Sequence, residues 1–348
     1  MYIVIAIILF GVLIAIHEFG HFSAAKACGV RVNEFAIGMG PTLLKKQKGE
    51  TLYSLRLLPI GGFCAMEGED EDSHDPRALS ARPVWQKVII LVAGSAMNYL
   101  LGVIMLMIVF SSAAGFVQPV ISGFVDDCPY ESAGGLMAGD KFLSIDGRSV
   151  HFSSDVIEYL DAGTSHDIVV RRDGAKVAIN DFSMERIQYP GQEGLKYGVY
   201  FEVENANLWT NFKYSLQWSA ELVRMVWEGL TQLVTGVVGL KDMSGPVGIV
   251  SMITEVGESA PTTSDAVKNV LFFCAFIAIN LAVMNMLPIP ALDGGRVFAV
   301  LVTVIIEAIT RKKVNPKYEA YIHSGGMILL LGLMAVVMFN DIAKLVTG

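Results

Sequence analysis

Two histidines and a glutamate near the amino terminus have the residue types and the spacing of a hydrolytic metal site. The segment His17-Glu18-Phe19-Gly20-His21 is an H-E-x-x-H motif. On a helix, residues i and i+4 share a face, so both imidazoles can bind one metal ion. Zinc lowers the pKa of a bound water from about 15.7 to about 7. Glu18, beside the first ligand, can take the proton of that water and pass it to a leaving amine.

A catalytic zinc ion also needs a third protein ligand and an open position. Asp293 is the only acidic residue between residues 269 and 306, and Pro288 and Pro290 precede it. The prolines and the glycines that follow break a helix there, and broken backbone at membrane depth is tolerated only where protein or a wet cavity satisfies it. Asp293 is therefore either the third zinc ligand or a loop aspartate that caps the next helix.

The composition is typical of a membrane protein. Of the 348 residues, 53% are hydrophobic and only 17% are charged, whereas a soluble domain has roughly 25% charged residues. The mean hydropathy is +0.51. A net charge of -8 without a basic stripe argues against nucleic acid as a partner. The four cysteines are far apart and form no CxxC, which indicates neither a disulfide framework nor a cysteine zinc site.

Four apolar stretches are long enough to cross a bilayer, which needs about 20 residues. The predicted fold class is a polytopic α-helical membrane protein with four transmembrane helices, a membrane-associated β-hairpin sheet and an extracytoplasmic β-rich domain. The predicted segments are transmembrane helix 1 with the H-E-x-x-H motif (1–26), a cytoplasmic-side β-hairpin loop (27–84), transmembrane helix 2 (85–114), the β-rich domain (115–185), an amphipathic interfacial helical region (186–267), transmembrane helix 3 (268–292), a cytoplasmic connection (293–319) and transmembrane helix 4 (320–348).

Lysine and arginine set the predicted orientation. They flank the loops between spans one and two and between spans three and four, whereas residues 115–140 contain neither. By the positive-inside rule, both loops are cytoplasmic and the acidic middle is outside together with both termini. An ionised residue within a span costs roughly 2.5–3.5 kcal/mol on insertion scales and is usually functional. The position of the H-E-x-x-H motif in the first span therefore favours a metal site.

These motifs make the chain resemble the site-two protease family of zinc intramembrane proteases, in its bacterial regulator-of-sigma-E branch. The resemblance implies zinc held by His17, His21 and Asp293, with Glu18 as the base. It also covers Gly94 and Asn98 of the second span, although Gly94-Ser95 stands where the family usually has Gly-Pro; Asn98 is interpreted as structural. Further matching segments are Gly61-Gly62-Phe63, Ser244-Gly245-Pro246-Val247-Gly248-Ile249 and Asn285 to Leu292.

The resemblance implies that the edge of the hairpin sheet pairs with substrate as an added strand. A transmembrane substrate is helical and must unwind before attack, and an edge strand satisfies the N–H and C=O groups that unwinding frees. Gly61, Gly62 and Phe63 are the predicted substrate-binding residues on the sheet. Asn285 would hold the substrate backbone, or would instead make a helix-capping or interhelical hydrogen bond.

The outer β-rich domain resembles a PDZ domain. Residues 135–147 are close to the pattern GLxxGDxIxxIxG, although Cys128 replaces the usual small polar residue before Pro129. The length of the segment leaves room for one such domain. It would either bind an extended chain by strand addition or act as a size filter for substrates whose outer part has been removed.

The sequence thus predicts a bacterial zinc endopeptidase in the cytoplasmic membrane that cuts single-span membrane proteins. Anti-sigma factors and signal-peptide remnants are the substrates that the resemblance implies. Two alternatives stay open: a membrane metal transporter that uses the same cluster, and an inactive PDZ scaffold, against which the intact motifs speak. The other histidines are interpreted as surface residues at 74, 151 and 166 and as structural at 323.

Overall fold

The computed structural model describes residues 2–69, 73–132, 134–191, 193–239, 244–314 and 317–347. The helices are α1 (Tyr2–Ala27), α2 (Val84–Phe110), α3 (Ser153–Leu160), α4 (Leu208–Val234), α5 (Pro246–Glu258), α6 (Thr263–Asn285), α7 (Asp293–Thr310) and α8 (Lys317–Thr347). The strands are β1 (Val32–Lys48), β2 (Thr51–Met66), β3 (Gly115–Phe124), β4 (Lys141–Ile145), β5 (Arg148–Ser149), β6 (Ser165–Arg172), β7 (Ala175–Ser183), β8 (Ile187–Gln188), β9 (Leu195–Lys196) and β10 (Val199–Asn205).

Four helices of the described chain are long and apolar enough to span a membrane, which agrees with the four predicted spans. Their backbone groups are bonded within the helix, which is the condition for crossing lipid. Phe110–Gln217 and the rest of the chain form two compact units, and each is described by itself. The apolar segments are Ile7–Ala27, Val84–Phe110, Thr263–Asn285 and Tyr321–Lys344.

Helices α1 and α2 approach each other very closely in the first unit. A Cβ on Gly20 would overlap the backbone of Ala93 and Gly94 on α2. Small residues at such a crossing let two membrane helices pack backbone to backbone. The crossing lies within the H-E-x-x-H motif, so it brings the face of α1 that carries both histidines against α2.

The two long strands β1 and β2 each contribute two segments to one antiparallel sheet. Residues 32–37 of β1 pair with residues 62–66 of β2 on one side, and residues 34–37 pair with residues 52–55 on the other. The remaining part of β1 pairs with the start of β2. Gly38 allows the sharp change of direction, with a φ of +87° and no room for a Cβ beside the Leu58 carbonyl. Residues 62–66 are thus an edge of the sheet.

The third apolar stretch is interrupted as the prolines predict. Helix α6 ends at Asn285, residues 286–292 are irregular, and α7 begins at Asp293. The apolar run after the break is part of α7, whose 18 residues make the short stretch a helix in its own right. The break therefore separates a membrane-length helix from the helix that begins with the candidate ligand.

The second unit is a β-rich unit with one short helix. Its main sheet has the order β10-β3-β4-β6-β7, and β5 pairs with β4 at the side. Every described pairing in it is antiparallel. Helix α3 contributes Val156, Tyr159 and Leu160 to a core that also contains Phe142, Ile145 and Ile168 of the strands.

A buried ion pair joins the turn before β4 to β6. The Asp140 side chain is fully buried and accepts bonds from Arg172 Nε at 2.8 Å and Nη2 at 2.6 Å. The same carboxylate accepts from the Met137 amide at 2.8 Å. A bidentate guanidinium and a backbone donor together satisfy a charge that would otherwise be costly to bury.

Two predicted boundaries differ from the structure. The helix predicted for 268–292 ends at Asn285, because the segment with the two prolines is not helical. The region 186–267 was expected to be helical, but it begins with three strands, and β10 is an edge strand of the main sheet. The partner of β10 is β3, about 80 residues earlier in the chain. The hydrogen bonds that make this segment a strand therefore join residues that are far apart in the chain. Its own short sequence gives little indication that it is a strand.

The prediction that His166 is a surface residue is also wrong. The residue is only 2% exposed, and its Nδ1 lies 2.7 Å from Asp146 Oδ2. This hydrogen bond lowers the pKa of the Asp146 carboxyl from its usual value. His74 and His151 are exposed, as predicted.

Candidate metal centre

Three side chains that are far apart in sequence converge on one point. His17 Nε2 and His21 Nε2 are 3.1 Å apart, because the two residues lie one turn apart on α1. Asp293 Oδ2, at the first residue of α7, is 3.1 Å from His17 Nε2 and 3.3 Å from His21 Nε2. These three residues are the group that the described chain offers for holding a metal ion.

The spacing of these three atoms fits zinc. Ligand atoms at about 2.0–2.1 Å from a tetrahedral zinc ion lie roughly 3.3 Å from one another. The Asp293 Oδ2 atom is buried and accepts no hydrogen bond from the part of the chain that the structure describes. A buried carboxylate oxygen without a donor is costly unless a cation is bound to it. Two imidazoles and one carboxylate also leave the fourth position that a catalytic site requires.

Helix α2 supplies a partner for the Nδ1 atom of each imidazole. His21 Nδ1 is 2.8 Å from the carbonyl oxygen of Ile90, to which it donates its proton. His17 Nδ1 is 3.4 Å from the side-chain amide of Asn98, which is 2% exposed. The proton on His21 Nδ1 leaves its Nε2 lone pair free for a metal, so the Ile90 carbonyl sets both the tautomer and the ring orientation of His21. Asn98, interpreted from the sequence as structural, is therefore a neighbour of the site.

Gly94 on α2 allows this close contact. A Cβ at this position would overlap His21 Nε2 and would lie 2.8 Å from His17 Cε1. Every other residue type would therefore place atoms where the two imidazoles meet. Neither Gly94 nor the Ile90 carbonyl could be identified as part of the site from the residues alone, because the crossing of α1 and α2 decides their positions.

Glu18 lies between the histidines and the hairpin sheet. The backbone of Cys64 donates a hydrogen bond to its carboxylate, and a Cβ on Gly62 would lie 3.4 Å from its Cγ. The edge of the sheet therefore runs directly beside the glutamate of the motif. Glu18 is half-buried, which leaves part of its carboxylate accessible.

The predicted substrate-binding residues lie in two places. Gly61, Gly62 and Phe63 belong to the part of β2 that reaches the sheet edge beside Glu18. The guanidinium of Arg56 stacks over the Phe63 ring at 4.7 Å. Asn285 is the half-buried last residue of α6. The structure thus brings Gly62 of the sheet to the glutamate, and it places Asn285 immediately before the broken segment.

Sequence comparison assigns the family. The model of peptidase family M50 matches residues 5–333 of the chain. The chain belongs to peptidase family M50. This is the site-two protease family that the motifs predicted, so that prediction is confirmed.

The M50 relatives come from several bacterial groups. A protein of Clostridium perfringens named as a zinc metalloprotease is 37% identical, over 98% of each chain. A zinc metalloprotease by name from Nostoc is 32% identical, over 100% of this chain and 97% of its own. The regulator of sigma-W protease RasP of Bacillus subtilis is 28% identical, over 97% of each chain. With four helices long enough to span a membrane, this M50 chain is a multi-pass membrane protein.

Proposed function

We propose that this protein cleaves the transmembrane segments of single-span membrane proteins at a zinc site within the membrane. The observation that carries the proposal is the convergence of His17, His21 and Asp293 to within 3.3 Å of one another. Two of these residues lie on α1, a helix of membrane-spanning length and composition. Such residues in a span are costly and are kept where they serve a function.

The enzyme class and the cofactor follow from the family. The chain is a zinc metallopeptidase of family M50. In our proposal, the Nε2 atoms of the histidines and the Asp293 carboxylate hold the ion. Bound there, zinc supplies a Lewis acid that acidifies water and polarises a peptide carbonyl.

Glu18 has the role of general acid and base in the proposed mechanism. Its carboxylate lies close enough to His17, His21 and Asp293 to interact with their charges, and it can accept the proton of the attacking water. The same carboxyl group then gives the proton to the leaving amine of the cleaved peptide bond. The Cys64 amide, which donates to this carboxylate, orients it.

The hairpin sheet has the role of presenting the substrate. The peptide bonds of a helical transmembrane segment are internally bonded and must be exposed before they are cut. Residues 62–66 are a sheet edge beside Glu18, so an unwound segment that pairs there lies next to the proton-transfer group. Asn285, at the end of α6, is proposed to bind the substrate backbone.

The β-rich unit is proposed to be a single PDZ domain outside the cytoplasmic membrane. The motif of residues 135–147 contains β4, and α3 packs on the same core. The Bacillus relative is named as a regulator of sigma-W protease, which supports anti-sigma factors as one substrate class. Signal-peptide remnants are the other.

Replacing Glu18 by Gln tests the mechanism. The variant should keep its zinc, because no ligand is changed, and should cleave a single-span model substrate at least about 100-fold more slowly, the usual contribution of a general base. Zinc content of the purified protein and cleavage in detergent are measured together. Asp293→Asn is the companion variant, and it should lose zinc and activity together.

The same variants separate the protease from the metal transporter. A transporter would move zinc into vesicles without forming a peptide product. Cleavage at the wild-type rate by Glu18→Gln would contradict the role of Glu18 as the base. Unchanged zinc content in Asp293→Asn after a chelator challenge would reject the third ligand.

A further inference from the structure

Every backbone N–H of the broken segment between α6 and α7 donates to an acceptor in the structure. Of the seven residues 286–292, two are prolines and have no N–H. Four of the other five amides donate to carbonyl oxygens of residues 283–289, within the segment and the end of α6. The fifth, that of Ala291, donates to Nδ1 of His323 on α8 at 3.1 Å. This amide is the one that depends on a distant side chain.

Ala291 also has the least favourable backbone conformation of the segment. Its φ is +80°, in the left-handed region that a residue with a Cβ rarely adopts. Such a conformation persists only where the surroundings hold it. Ala291 stands two residues before Asp293, so a change at its φ and ψ angles redirects the Asp293 carboxylate.

A second contact joins the same helix to the same segment. Gly326 lies one turn beyond His323 on α8, on the same face of the helix. A Cβ at Gly326 would overlap the Cβ of Pro290 and would lie 2.8 Å from the carbonyl carbon and oxygen of that proline. The missing side chain therefore lets α8 approach closely enough for the imidazole to reach the Ala291 amide.

We propose that His323 is a positioning residue that holds the aspartate-bearing segment in the conformation that aims Asp293 at the two histidines. It acts by accepting the Ala291 amide, for which Nδ1 needs its lone pair and Nε2 carries the proton. The last helix thereby takes part in building the metal centre. This proposal rests on the proposed role of Asp293 as a zinc ligand.

The experiment compares two substitutions that differ in one property. The Oδ1 atom of His323→Asn can occupy the place of Nδ1 and accept the amide, whereas His323→Leu fills similar space without an acceptor. Full-length protein in detergent is loaded with cobalt, whose visible absorption reports the geometry of its ligands, and zinc retention against a chelator is measured in parallel. His151→Leu, at an exposed histidine of the other unit, is the matched control.

We expect His323→Leu to change the cobalt spectrum and to weaken zinc retention about tenfold, at the lower end of what loss of a supporting contact to a metal site costs. His323→Asn and the control should match the wild type. Gly326→Ala should reproduce the spectral change from the other contact. Wild-type behaviour of His323→Leu, or equal losses in the leucine and asparagine variants, would overturn the role of the hydrogen bond.

Asp293→Asn, measured beside them, keeps this result separate from the site assignment. If Asp293→Asn retains zinc as the wild type does, the ligand assignment itself fails. If it loses zinc while His323→Leu behaves as the wild type, only the positioning role of His323 fails. Circular dichroism of each variant shows whether the helices are intact. If His323→Leu does not fold, Gly326→Ala provides a second test of the positioning role.

Discussion

At the scale of single residues, the candidate metal centre depends on a glycine without a side chain as well as on the residues that would bind the ion. Gly94 lies where α1 and α2 cross, and its lack of a side chain leaves the space in which the two imidazoles meet. Asn98 and the Ile90 carbonyl hold the opposite nitrogen of each ring. The two histidine ligands are thus held by a surface of α2 that has no ligand of its own.

Gly94→Ala tests this arrangement directly. Its added methyl group would overlap His21 Nε2, so one imidazole must turn away or the helices must separate. We expect zinc affinity and cleavage to fall together by at least about tenfold, as for other changes next to a metal ligand. Metal titration of the purified variant checks this.

Ala93→Gly is the control for helix packing at the neighbouring position. It adds no atom to the site, so its zinc affinity should stay at the wild-type value. Equal zinc affinity in Gly94→Ala and the wild type would contradict the close packing of α1 on α2.

At the scale of elements, a buried aspartate joins the last helix to α5. Asp341 on α8 is only 4% exposed, and its carboxylate accepts from the amides of Gly245 at 3.0 Å and Gly248 at 2.9 Å. These amides belong to the start of α5, where a helix has unsatisfied donors and a partial positive charge. Asp341 therefore caps α5 from a different helix.

Asp341→Ala should destabilise the fold because two buried amides lose a charged acceptor. Hydrogen bonds to charged groups contribute about 1.5–3 kcal/mol, and we expect a loss of about 2 kcal/mol. Thermal unfolding in detergent measures the change. Asp341→Asn keeps one acceptor oxygen and should lose less; equal stability of all three proteins would show that the cap contributes nothing.

The β-rich unit contains a titratable pair whose effect on stability has a definite sign. The hydrogen bond from His166 lowers the pKa of Asp146 in the folded state. The carboxylate therefore stabilises the fold above the pKa of the unfolded chain, and this contribution is lost as the pH falls below about 4. The Asp146 side chain is 44% exposed, so solvent keeps the effect small.

We expect His166→Phe to flatten the loss of stability of this unit on acidification. Hydrogen exchange of β6, corrected for the intrinsic rate at each pH, measures the local stability in the full-length protein. His151→Phe is the control at an exposed histidine. An unchanged pH dependence in His166→Phe would show that the pair does not contribute.

At the scale of the whole molecule, the distribution of charge determines how the chain crosses the membrane. The loops with lysine and arginine between the spans should be cytoplasmic, and the acidic segment should be outside. In a variant without the four native cysteines, Glu131→Cys on the β-rich unit should react with a membrane-impermeant maleimide in intact cells.

Lys312→Cys, in the exposed connection after α7, is the counterpart of this labelling test. It should react only after the cells are lysed. The reverse pattern of labelling would place the β-rich unit in the cytoplasm and would invert the proposed topology.

Three features could be predicted because each depends on residues that are close together in the sequence. They are the motif in the first span, the four membrane-length helices and the break before Asp293. A residue spacing of four, a run of about 20 apolar residues and paired prolines act on the chain through their immediate neighbours. The family resemblance followed from the same local segments. The strand β10, the burial of His166 and the part of Asn98 in the site could not be predicted in this way.

The amino-acid sequence is sufficient to identify the chemical groups, their spacing along each helix and the family of the chain. Two contacts are visible only in the folded chain: Asp293 lies 3.1 Å from a histidine 276 residues earlier, and His323 accepts the Ala291 amide. The physical reason is that these contacts depend on how helices cross. Closest approaches at glycines and one hydrogen bond between distant helices set those crossings, and neither leaves a periodic signal in the chain.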